Sequence, residues 1–109
     1  MPDKISFLSV FAGFMMMALP AQAEDILKNA DADYGQYLSG ECVTCHSKDG
    51  ADKGIPSIIG LEAETFATVM HAYKNGEMEH PVMQMVAKRL DQEQIASLAV
   101  YFSSLTAAE

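Results

Sequence analysis

Two thiols and an imidazole stand together in Cys42-Val43-Thr44-Cys45-His46, and these are the only cysteines in the 109 residues. The spacing C-x-x-C-H is what covalent haem attachment requires. It sets two thiols one helical turn apart, facing the same porphyrin edge, and brings the next imidazole under the iron. Two other uses of paired cysteines fit less well. A redox dithiol of the thioredoxin kind needs a βαβ frame, which no part of the chain suggests. A four-ligand zinc site needs two ligands beyond the thiols, and there is no second cysteine pair. The motif therefore predicts one covalent haem c (Cys42, Cys45), with His46 as a metal ligand. The opposite face of the iron takes a second donor or stays open. Met70 falls on an apolar helical stripe and Met78 in a charged loop, so Met83 and Met85 are better placed, and spacing alone does not separate those two. An open or weakly held sixth position would instead make the chain a haem protein that binds a gas or a sulfur species.

The elements that must position these groups read as helices joined by long loops. Asp31 and Asp33 suit a helix start, and the pattern predicts a helix from about Asp31 to Ser39 that ends at Gly40. Gly35 inside it costs about 1 kcal/mol relative to Ala, which implies that another element approaches closely there. After the motif, residues 47–54 (SKDGADKG) carry turn chemistry. Residues 54–60 (GIPSIIG) are apolar but broken by Pro and Gly, which predicts an irregular buried wall. Phe66, Val69, Met70 and Tyr73 then share one face of a helix over Leu61–Asn75, with Gly76 as its stop. Residues 81–87 are compatible with an extended segment or a single helical turn. Asp91 and Gln94 have capping-box spacing, ahead of the stripe Ile95, Leu98, Ala99, Phe102 and Leu105.

Residues 1–23 read as a secretory signal: Lys4, an apolar run from Ile5 to Leu19, then Pro20 and the A-x-A site Ala21-Gln22-Ala23. The run is shorter than the ~20 residues that span a bilayer, so cleavage is expected rather than anchoring. Removal of these 23 from 109 residues leaves 86, one small domain for which a bound cofactor would act as the staple. From residue 24 onward there are six Lys or Arg and fourteen Asp or Glu, a balance of −8. Such a surface disfavours nucleic acid and anionic membranes and suits a partner with a basic docking patch. The expected location is the periplasm, with no stable membrane association after cleavage.

These residues resemble a class I c-type cytochrome over essentially the whole mature length. The resemblance rests on Gly35 seven residues before Cys42, on CVTCH and GIPSIIG, on a helix ending YKNG, and on PVMQMVAKRLDQEQIASLAVYFSSL. It implies an all-α fold, three to five helices around one covalently bound haem, and an electron carrier rather than an enzyme. It also implies His46 and Met83 as the axial pair, because the family's methionine stands seven residues before a Leu that matches Leu90. Pro56 matches the carbonyl that accepts a hydrogen bond from the ligating histidine, and Ile58 and Ile59 match residues against the haem face. Gly35, Leu98 and Tyr101 match the crossing of the first and last helices. Within the class, the chain is most similar to cytochrome subunits of flavocytochrome c sulfide dehydrogenases and to single domains of periplasmic dihaem cytochromes. The implied partner is a redox protein, such as a flavoprotein sulfide dehydrogenase subunit. His71 reads as a surface histidine, and His80 as a loop histidine able to compete for iron if Met83 were displaced.

Overall fold

Asp31, His80 and Asp91 each start a helix by accepting hydrogen bonds from amides that have no partner inside it. The computed structural model describes residues 21–52 and 54–106. In chain order these form α1 (Ala21–Lys28), α2 (Ala32–Leu38), a 3-10 turn (Ser39–Glu41), α3 (Ala63–Lys74), α4 (Pro81–Lys88) and α5 (Gln92–Ser103). No strand occurs among the described residues, so the fold is all-α as expected. None of the helices among them is long and apolar enough to cross a membrane. Residues 1–20 of the expected signal lie outside the described residues, and the expected cleavage point after Ala23 falls within α1.

The last helix is the frame on which the others are set. Its capping box forms: Gln94 N–H donates to Asp91 Oδ1 at 2.8 Å, and Asp91 N–H donates to Gln94 Oε1 at 2.9 Å. The same Gln94 side chain donates through Nε2 to the Tyr34 hydroxyl at 3.1 Å, tying the start of α5 to α2. Ile95, Leu98, Ala99 and Phe102 are buried with Phe66 and Met70 of α3 and Ala87 of α4. The rings of Phe66 and Phe102 stack with centroids 5.7 Å apart. Gly35 lies where α2 crosses α5. A Cβ there would stand 2.7 Å from Tyr101 Cβ and closer still to the Ser97 carbonyl oxygen, so only glycine permits the approach.

The expected stop of α3 holds. Glu77 N–H bonds to the Ala72 carbonyl at 2.8 Å and Gly76 N–H to that of Tyr73 at 3.2 Å, a Schellman closure with Gly76 at φ +82°. Two segments differ from expectation. Residues 81–87 are neither extended nor a single turn but the bulk of the two-turn helix α4. Its start is closed by His80, and just past its end Lys74 Nζ donates to Leu90 O at 2.6 Å, with Lys88 O at 3.5 Å. Neither closure is visible as a local pattern. Residues before Asp31 carry no helical signal of their own, yet α1 forms there, with Leu27 packed against the core.

The loop between the motif and α3 is irregular, as its Pro and Gly require. It is less buried than expected: Gly54, Ile55 and Pro56 are exposed, and Ile58 and Ile59 are half-buried. Gly60, at φ +78°, anchors the end of this loop by donating its N–H to the Phe102 carbonyl at 2.9 Å.

Candidate haem site

The 3-10 turn after α2 runs directly into the cysteine motif. Cys42 N–H donates to Ser39 O at 2.9 Å, Cys45 N–H to Cys42 O at 3.2 Å and His46 N–H to Cys42 O at 2.8 Å. Thr44 adds its hydroxyl, which donates to the Gly40 carbonyl at 3.0 Å. The backbone is thereby wound so that Cys42 and Cys45 stand one turn apart with His46 closing the next. Both cysteines are free of any disulfide. Burial, and secondarily the neighbouring Glu41 carboxylate, push the Cys42 thiol up to about 11, so it is protonated at neutral pH.

The orientation of His46 is set from the far side of the loop. Its Nδ1 lies 2.7 Å from the Pro56 carbonyl oxygen. A carbonyl can only accept, so Nδ1 carries the proton and Nε2 keeps an unshared pair for a metal. Between this imidazole and α4 lies a cavity of ≈ 590 Å³ lined by Cys45, His46, Pro56, Ile58, Phe66, Met70, Tyr73, His80 and Met83, among others. A smaller hollow of ≈ 80 Å³ adjoins it, sharing Cys45, His46, Ile58, Phe66, Met70 and Met83 and adding Cys42 and Val86. Both thiols, the imidazole and two thioethers, those of Met70 and Met83, thus border adjoining, mostly apolar hollows.

Of the four candidate methionines, Met70 and Met83 line both hollows, and Met78 and Met85 line neither. Met83 is half-buried and lines both hollows. Met85, two residues on, is turned roughly 200° around the helix and is 57 % exposed. Val86, three residues on from Met83, returns to the cavity side. Met78 is exposed and Met70 is part of the core, 5 % exposed, while also reaching the cavity wall. Ile58 lines the cavity as expected. Ile59 does not; like Ile58 it packs against the core, but it does not reach the cavity.

The residues fit a metal carried by a macrocycle. Among the described residues no three of His, Cys, Asp and Glu gather as a chelating cluster. An imidazole with its lone pair free, a thioether and two thiols around a largely apolar space are the donor set a haem uses.

No family model matches the chain. It is 35 % identical over 85 residues to the cytochrome subunit of sulfide dehydrogenase from Chlorobaculum tepidum, a match covering 77 % of each chain. The chain belongs to the class I c-type cytochromes. A cytochrome c-554(548) from Halomonas halodenitrificans is 33 % identical over 79 residues, 68 % of this chain and 95 % of that one. A thiosulfate dehydrogenase electron acceptor from Stutzerimonas stutzeri is 24 % identical over 98 residues, 87 % of this chain but only 45 % of its own length. Membership implies a haem cofactor, and these relatives are electron-transfer proteins.

His80 is the site residue that sequence reasoning under-read. It is not simply a loop histidine. Its ring lines the cavity, caps α4 and sets its edge against Tyr73, with centroids 6.4 Å apart. The Pro at position 81, favoured at the first residue of a helix, was the available signal for a helix start at 80.

Proposed function

We propose that this cytochrome carries a single haem bound covalently through Cys42 and Cys45, with His46 and Met83 as axial ligands, and that it passes single electrons between redox proteins of the periplasm after residues 1–23 are removed. The observation that carries this reading is the convergence of His46 Nε2, Met83 and both thiols on one cavity, with Pro56 fixing the imidazole. The haem would supply one-electron exchange at iron, and a His/Met pair favours the reduced state.

The chain's own residues do the rest. Pro56 holds the imidazole in one tautomer. Ile58, Phe66 and Met70 keep water from the cavity floor. Ile55 and Val82, 41 % and 51 % exposed, leave its mouth open to a partner surface. Net charge −8 steers this cytochrome toward a positively charged partner and makes association fall with ionic strength. By analogy with its sulfide dehydrogenase relative, that partner is a flavoprotein subunit, to which the oxidation of sulfide would belong.

An absorption spectrum tests the reading. The reduced protein is expected to show the sharp α-band of covalent haem c, and the oxidised protein the weak Fe–S(Met) band. A high-spin spectrum that shifts with carbon monoxide would overturn the His/Met assignment. N-terminal sequencing of the exported protein is expected to begin at Glu24.

A further inference from the structure

We propose that His80 is a positioning residue for Met83: its ring moors the turn that carries the thioether, instead of serving as a rival ligand. The inference rests on the assignment of Met83 to iron. Met83 is the third residue of α4, and its backbone N–H is one of the amides left without a partner at a helix start. His80 Nδ1 accepts that N–H at 3.3 Å, while the His80 carbonyl accepts from Gln84 N–H at 2.8 Å. One residue therefore fixes the amide of Met83 and that of the residue after it. Pro81 between them has its φ locked and no N–H to compete for the ring nitrogen.

The ring is itself held. Tyr73 of α3 lies T-shaped to it at 76°, and the adjacent Lys74 donates to the Leu90 carbonyl just past the opposite end of α4. Both ends of the helix bearing Met83 are therefore tied to the last turn of α3. Nδ1 accepts the Met83 N–H, so the neutral ring carries its proton on Nε2 and neither nitrogen offers a lone pair to a metal while the cap is made. A shorter acceptor such as Asn reproduces the cap without the imidazole.

The test titrates imidazole into the ferric holoprotein and follows loss of the Fe–S(Met) band for the parent, H80A, H80N, D91A and M83L. His80 is exposed, so its replacement opens no core cavity. H80A is expected to bind imidazole about fivefold more tightly than the parent, the equilibrium ratio of one lost helix cap, and H80N to return to the parent value. D91A loses a comparable cap at α5 and is expected to stay within about twofold of the parent, which separates positioning of Met83 from general loss of stability. Equal imidazole affinity in H80A and the parent would overturn the proposal, as would an H80A effect matched by D91A or left uncorrected by H80N. If instead M83L keeps the Fe–S(Met) band, the ligand assignment fails first, and that result is distinct from the others.

Discussion

The two walls of the cavity are built by opposite means. On the His46 wall the thiols and the imidazole come from five consecutive residues, wound by bonds to carbonyls no more than four residues back, with one longer bond to Pro56. On the Met83 wall nothing is local except the helix itself. Its start depends on a histidine ring, its end on a lysine from α3, and its link to the opposite wall on an ion pair between Arg89 and Glu41. The first wall is a motif whose winding bonds are all local. The second exists only once the helices have docked, so perturbation of the fold is felt there first.

The largest effect should come from the motif wall. Under the proposed attachment, replacing both Cys42 and Cys45 by Ala removes the covalent link and leaves ≈ 590 Å³ of mostly apolar space to be filled reversibly or not at all. The buried core is a handful of side chains from three helices, and a domain this small is marginal without its cofactor. We expect the double variant to lose its cooperative thermal transition by far-ultraviolet circular dichroism. Met83→Leu should leave attachment intact. Under the proposed His46/Met83 ligation, it is expected to abolish the Fe–S(Met) band and lower the midpoint potential by more than ~60 mV, one decade in ferrous over ferric preference. Met85→Leu, on the exposed side of the same helix, should do neither, and potentiometry on the pair checks it.

The same contrast explains what could be read in advance. The His46 wall was legible because its chemistry is sequential. The capping box of α5 was legible because Asp91 and Gln94 are three residues apart. Gly35 could be flagged as a close approach, although its neighbours Ser97 and Tyr101 lie some sixty residues away, because an interior glycine in a helix needs a reason. The second turn of α4 was not legible. His is an unusual cap, and Lys74 reaches it from another helix. Nor was α1, whose Leu27 finds its apolar partners only in the assembled core. Ile58 and Ile59 were indistinguishable as residue types; both pack against the core, and only in the folded loop does Ile58 alone also reach the cavity.

A smaller perturbation acts below the motif wall. Gly35→Ala places a methyl group against the Ser97 carbonyl and Tyr101 Cβ, where backbone on both helices must shift. The expected loss is about 1–3 kcal/mol in denaturant unfolding of the holoprotein. The spectrum should be unchanged, since the turn from Ser39 to His46 carries its own hydrogen bonds.

The smallest expected effect probes the ion pair that joins the walls. Arg89, which ends α4, reaches Glu41, which precedes Cys42, at 3.1 Å. Both side chains are more than half exposed, 57 % and 64 %, so water and salt screen the attraction and the pair should contribute only about 0.2–1 kcal/mol. A double-mutant cycle with Arg89→Ala and Glu41→Ala measures that coupling free of each residue's other contacts. At low salt the coupling should be detectable in the imidazole affinity of the ferric protein, which reports the Met83 wall, and it should vanish in molar salt. The α-band should not move in any of the variants, because the thiols and His46 are held without Arg89. If the coupling exceeded about 2 kcal/mol and resisted salt, the two walls would be joined by more than this exposed pair, and the independence of the motif wall from the helix wall would fail.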